Sequence, residues 1–181
     1  MDLIDWTEVT AHDQRAAYYH EVGHSIAAAH FGYAGQIEVK PLMFNSLEQY
    51  RTDRAFSGCF TIYGQLDNET QRQIIGMAGI LTEKLLTCFE LEALDLAYIG
   101  DTISEELSPS DSQLIGTIDL CELDEKTVEQ CLSILRNNWQ QLNSTVEQYL
   151  GFTQHKEELQ QVLEHIKRLE LSHASDSQNT I

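Results

Sequence analysis

The chain has 181 residues, enough for one domain with its own core, and carries 29 acidic against 11 basic side chains for a formal net charge of -18. Concentrated Lys and Arg are what hold a phosphate backbone or an anionic bilayer, so this balance argues against nucleic-acid and membrane-surface partners. The opening residues Met1 to Trp6 carry neither a basic nor an apolar leader region, and the most apolar run, Ile74 to Leu86, is interrupted by Glu83 and Lys84 and too short for a bilayer; a cytoplasmic protein without a membrane segment is expected.

Residues 1 to 9 read as an arm that packs Leu3, Ile4 and Trp6 on the body. Thr10 suits an N-cap, with Asp13 giving a weak capping box, and a helix is predicted from there to about Phe31, ended by Gly32. This helix carries His20-Glu21-Val22-Gly23-His24. Residues four apart on a helix stack on one face, about 40° apart, so two imidazoles in that relation can hold one metal ion. Glu21 leans toward the same opening without being a natural third ligand, which is where a general base for metal-activated water stands.

From Gln36 to Lys40 and from Phe56 to Tyr63 the pattern alternates, with Ile37 and Val39, then Phe56, Gly58, Phe60 and Ile62, on one parity; these are strand signals. The intervening Met43 to Arg54 has no period and reads as a long mobile loop. Asp67 or Asn68 caps a second helix, Glu69 to Phe89, with Ile74, Ile75, Ala78, Leu81 and Leu85 as its apolar stripe. Residues 90 to 107 are acidic and irregular, with a short helix at Leu91 to Ile99. Ser108-Pro109-Ser110-Asp111 is a helix start, where Asp111 has a ready explanation as a first-turn acid facing the helix dipole. One long helix is expected from Asp124 to Leu150, ended by Gly151, and a last one from Thr153 to Leu171, before a disordered tail over residues 172–181. The cysteines Cys59, Cys88, Cys121 and Cys131 form no C-x-x-C pair and read as reduced, mostly buried thiols.

A catalytic zinc takes three protein ligands and leaves a position for water. His30 completes the spacing H-E-x-x-H-x-x-G-x-x-H, but Ala27 stands where that pattern needs its helix-breaking glycine. In a continuous helix His30 lies about 240° round from His24 and about 9 Å up the axis. A distant carboxylate fits better, and spacing does not choose among Glu83, Glu90, Glu92, Asp95, Asp101 and Asp111.

Ala17-Tyr18-Tyr19-His20-Glu21-Val22-Gly23-His24 resembles the Ala-x-x-His-Glu-Ala-Gly-His segment of the peptidase domain of FtsH-type ATP-dependent zinc metalloproteases. Gly79-Ile80-Leu81-Thr82-Glu83-Lys84-Leu85 is similar to that family's Gly-x-Ala-Ala-Glu-Glu-Leu stretch, and Ser110-Asp111-Ser112-Gln113 loosely to its Ser-Asn-Asp-Leu segment. The resemblance implies His20, His24 and Asp111 as zinc ligands, Glu21 as the base and Glu83 as a group that orients a ligand histidine. It departs from the family in several respects: no lysine follows a glycine, so no Gly-Lys phosphate loop and no ATPase domain is expected, nor the family's membrane anchor; Leu81-Thr82-Glu83-Lys84 stands for Ala-Ala-Glu-Glu; and Ser110 precedes Asp111 where the family favours other small or amide residues.

The expectation is an α+β, mostly helical, zincin-like domain over residues 1–171, with the metal helix, a small β-sheet and a C-terminal helical bundle. It would act as a stand-alone zinc endopeptidase on unstructured polypeptides or chains delivered by a partner ATPase, alone or as a homo-oligomer. The alternative is a zinc-binding module without peptidase activity that docks on an ATP-dependent protease.

Overall fold

The computed structural model describes residues 4–87, 107–116 and 122–178. In chain order the elements are α1 (Trp6–His30), β1 (Ala34–Pro41), α2 (Leu47–Thr52), β2 (Phe56–Tyr63), α3 (Glu69–Thr87), α4 (Pro109–Ile115), α5 (Glu125–Asn137), α6 (Trp139–Gly151) and α7 (Thr153–Gln178). The class is α+β and mostly helical, with β1 and β2 forming a two-stranded antiparallel sheet. Among the described residues no helix is long and apolar enough to cross a membrane. The chain gathers into two compact units, one of Met1–Tyr18, Val39–Gly58 and Glu147–Ile181, the other of Tyr19–Glu38 and Cys59–Val146.

In the first unit, α1 starts earlier than Thr10 because Asp5 is the better cap. Its carboxylate accepts from the backbone N–H groups of Thr7 (3.0 Å) and Glu8 (3.2 Å), while Thr10 is buried. Leu3 lies outside the described residues. The stretch read as a mobile loop contains α2, capped by Ser46, whose hydroxyl accepts from Gln49 N–H, while the Gln49 side chain reaches back to Asn45 N–H at 3.1 Å. Tyr50, buried on α2, donates to Leu42 O (3.0 Å) and packs edge-on against Trp6, and His165 on α7 donates to Phe44 O (2.7 Å). Helix α7 continues past Leu171 to Gln178.

The second unit is built around α3. Its residues from Ile74 to Glu83 are all buried, the mark of a helix enclosed on every side. Asn68 is its cap, accepting from Gln71 N–H at 3.0 Å. Gly23 of α1 meets α3 where only a hydrogen fits: a Cβ there would lie 2.7 Å from Ala78 O and would overlap the Thr82 hydroxyl. Gly76 similarly admits Ile115 of α4, and Cys131 of α5 lies 3.5 Å from Ile74 O. Inward and outward residues alternate along β2, with Phe56, Gly58, Phe60 and Ile62 on the covered side.

Two further expectations change. The helix expected from Asp124 to Leu150 breaks at Asn138, whose backbone leaves helical geometry (φ -109, ψ 12) and whose side-chain amide donates to Ile134 O at 2.8 Å. Asn competes for backbone groups in this way, and the apolar period runs on through the break, so periodicity does not register it. Of the cysteines, Cys131 is buried and Cys59 exposed; Cys88, Cys121 and the short helix expected at Leu91–Ile99 lie outside the described residues.

Candidate metal centre

Helix α1 runs unbroken through Ala27-Ala28-Ala29 and stacks His20 and His24 with ring centroids 4.8 Å apart. The chain turns only at Gly32, in the left-handed conformation (φ 82). His30 is exposed and rests edge-on against Phe31, away from the other two histidines. Asp111 arrives on α4: Ser108 caps that helix by accepting Asp111 N–H at 3.1 Å, with Pro109 in the first turn. The side chain of Asp111 therefore has no capping duty. It points Oδ2 at His20 Nε2 (3.1 Å) and Oδ1 at His24 Nε2 (3.3 Å), and the three groups offer ligand atoms within 4.8 Å of one another.

The far nitrogens of both rings are tied to α3. His24 Nδ1 lies 2.6 Å from Ile75 O, and His20 Nδ1 lies 2.7 Å from Glu83 Oε1. A backbone carbonyl only accepts, so the Nδ1 of His24 carries a hydrogen, and in the neutral ring its Nε2 presents a lone pair. That lone pair faces Asp111 Oδ1, which is also an acceptor. His20 is likewise held between two carboxylates. Between each Nε2 and Asp111 there is thus a place for a proton or a metal ion.

Protons can occupy those places. Burial lowers the His20 pKa, but the hydrogen bonds to Asp111 and then Glu83 outweigh it and raise the value to about 10. Asp111 is held well below the usual carboxylate range, burial being outweighed by its bonds to His20 and His24. A single divalent ion serves both nitrogens at once. Two ligand atoms held about 2.0–2.1 Å from one tetrahedral ion are about 3.3 Å apart, which the contacts of 3.1 and 3.3 Å match. A carboxylate on the back of a ligand histidine is the usual outer support of such a site. His20, His24 and Asp111 fit a metal ion, with Glu83 behind His20.

Glu21 is next to the ligands in sequence, 5% exposed, and its pKa is raised by burial, with His24 and His20 partly offsetting the rise. A carboxylate with heightened proton affinity is what general-base chemistry uses. Phe60 of β2 lies parallel to the His24 ring, centroids 6.3 Å apart at 12°. The acids Glu90, Glu92, Asp95 and Asp101 fall outside the described residues.

Three contributors escape sequence reasoning. The carbonyl of Ile75 leaves no trace in composition, since every residue has one. Phe60 reads only as a strand residue. Gly79 does leave a signal: a glycine inside an apolar helix costs about 1 kcal/mol relative to alanine, so it marks a place where something comes close.

No protein-family model matches the chain, and no curated protein matches it. The chemistry is therefore read from the atoms of the site.

Proposed function

We propose that this chain is a zinc-dependent endopeptidase of the FtsH peptidase type, cleaving unstructured polypeptides or chains that a partner delivers. The observation that carries the reading is the placement of Asp111 against the Nε2 atoms of both histidines of the H-E-x-x-H pair. Two imidazoles and one carboxylate with a position left for water suit zinc among the common ions. A zinc ion held by His20, His24 and Asp111 would supply a water acidic near neutral pH and a Lewis acid for the scissile carbonyl. Glu21 takes the proton from the attacking water and hands it to the departing amine, so one carboxylate serves as base and then as acid. Glu83 and the Ile75 carbonyl hold the two imidazoles in the tautomer that turns Nε2 toward the ion. A cytoplasmic location and a partner ATPase or a second copy to present substrates belong to the same reading.

The test compares wild type and Glu21→Gln, both supplied with zinc, on an unfolded protein substrate. The expected result is cleavage by the wild type, with a rate at least ~10²-fold lower in the variant, which still binds zinc. Equal cleavage by the variant overturns the assignment of Glu21. Zinc binding without cleavage by either protein transfers the reading to a zinc-dependent docking module.

A further inference from the structure

Helix α3 supplies no metal ligand, yet it meets the ligands at several points. The Ile75 carbonyl holds His24, Gly76 seats the helix that carries Asp111, and the Glu83 carboxylate holds His20. Residues 75, 79 and 83 are successive steps of four along one face, so Gly79 lies between the two groups that hold the rings. A Cβ on Gly79 would lie 2.5 Å from His20 Nε2 and 2.6 Å from His20 Cδ2, and closer still to His24 Nε2. Both ligand nitrogens thus rest on a bare Cα.

Conformation does not explain this glycine. Among the described residues the glycines with positive φ are Gly32, Gly64 and Gly116, and Gly79 lies inside α3 with ordinary helical geometry, in which alanine is the better residue. Space explains it. A methyl group there has two ways to be accommodated, and both act on the ligands. Turning the rings away breaks the Nδ1 bonds to Ile75 O and Glu83, at 2.6 and 2.7 Å. Moving α1 off α3 opens the close contact of Gly23 with Ala78 and Thr82 and carries the histidines away from Asp111.

We infer that Gly79 is a positioning residue of the metal centre, the floor that lets His20 and His24 bring their Nε2 atoms to one ion. The inference rests on the metal-site reading proposed above. Its test is zinc affinity by chelator competition, together with the visible spectrum of the cobalt(II) form, for wild type, Gly79→Ala and the control Gly151→Ala. Gly151 is also in a helix but has open space at its Cβ position. Wild type and Gly151→Ala are expected to bind one ion with the same affinity and spectrum. Gly79→Ala is expected to bind ~10- to 100-fold more weakly with an altered cobalt spectrum, the scale typical of losing support around a ligand.

No stoichiometric metal in the wild type overturns the metal-site reading itself. Metal in the wild type, with equal affinity and an unchanged spectrum in Gly79→Ala, overturns the role of Gly79 alone. If Gly79→Ala does not fold, the same substitution is placed in a His20→Ala/His24→Ala background, where the rings it would strike are gone. There alanine's helix preference is expected to raise Tm by about 2–4 °C. A fall in Tm in that background overturns the inference.

Discussion

His155 in one unit and His24 in the other each have a ring nitrogen near a carboxylate, and they part at how the protons around them are used. His155 Nδ1 lies 2.6 Å from the Tyr18 hydroxyl, a donor that brings its own proton to the contact, and 3.0 Å from Glu158 Oε2. His24 has already committed its Nδ1 proton to Ile75 O, and its Nε2 still faces Asp111, where His20 Nε2 also points. The first arrangement is a hydrogen-bonded structural cluster, complete as it stands. The second is a convergence of two rings on one carboxylate, completed by a second proton on each ring or by one shared metal ion. Proximity of histidine to carboxylate is common to both; what separates them is whether the protons are already used on the far side of the rings.

Among substitutions within this contrast, the largest effect is expected from removing one of those far-side partners. Glu83→Gln keeps the shape but withdraws the charge behind His20, and zinc affinity is expected to fall ~10- to 100-fold in chelator competition. Unchanged affinity would mean that Glu83 is only a packing group. A second effect is expected from pH. The His20 pKa is raised from 6.5 to about 10, so in the metal-free protein its imidazolium contributes stability fully present below pH 6.5 and lost as pH rises through 10. Asp111 is shifted downward from 3.8, so its contribution is present above that pH and is lost as pH falls through its lower folded value. The pair therefore stabilises the metal-free fold most between about pH 3.8 and 6.5. Zinc must displace the His20 proton below pH 10, so affinity should climb about tenfold per pH unit for each proton released. The gap in Tm between zinc-loaded and metal-free protein should widen from pH 5.5 to pH 8; a flat gap would remove His20 from the ligand set.

The half of the centre on α1 was legible because it is local. Spacing along one helix determines which side chains stack, and Ala27-Ala28-Ala29 forecast both the unbroken helix and the departure of His30. The start of α4 was legible for the same reason, Ser108 and Pro109 being strong local signals. Which acid would join the histidines was not, because His20 and Asp111 are 91 residues apart and several acids had equal standing by spacing. Only the family resemblance favoured Asp111. The Ile75 carbonyl and the bare Cα of Gly79 are products of how closely α1, α3 and α4 pack, a property of three helices together that no window of one strand of sequence contains. Helix α2 was missed for a different reason: Ser46 and Gln49 form a local capping arrangement, visible in the residues, that an absent hydrophobic period overshadowed.

The smallest effect is expected at the structural histidine, and it sharpens the contrast from the other side. Tyr18 is 1% exposed, and burial, Glu158 and Tyr149 all raise its pKa, so its hydroxyl stays protonated and needs a partner. His155 is that partner, at 2.6 Å, while the Tyr149 ring stacks on Tyr18 with centroids 5.2 Å apart. His155→Ala leaves the buried hydroxyl without this bond, a loss of about 1–3 kcal/mol in denaturant unfolding. Tyr18→Phe combined with His155→Ala removes both polar groups and should recover part of that loss, since an apolar pair leaves nothing unsatisfied. Zinc affinity is expected to be unchanged in both variants, because the proton bookkeeping at His155 closes without an ion. A fall in zinc affinity comparable to that of Glu83→Gln would show that a histidine satisfied by protons alone can still govern the metal centre, and the distinction drawn between the two clusters would fail.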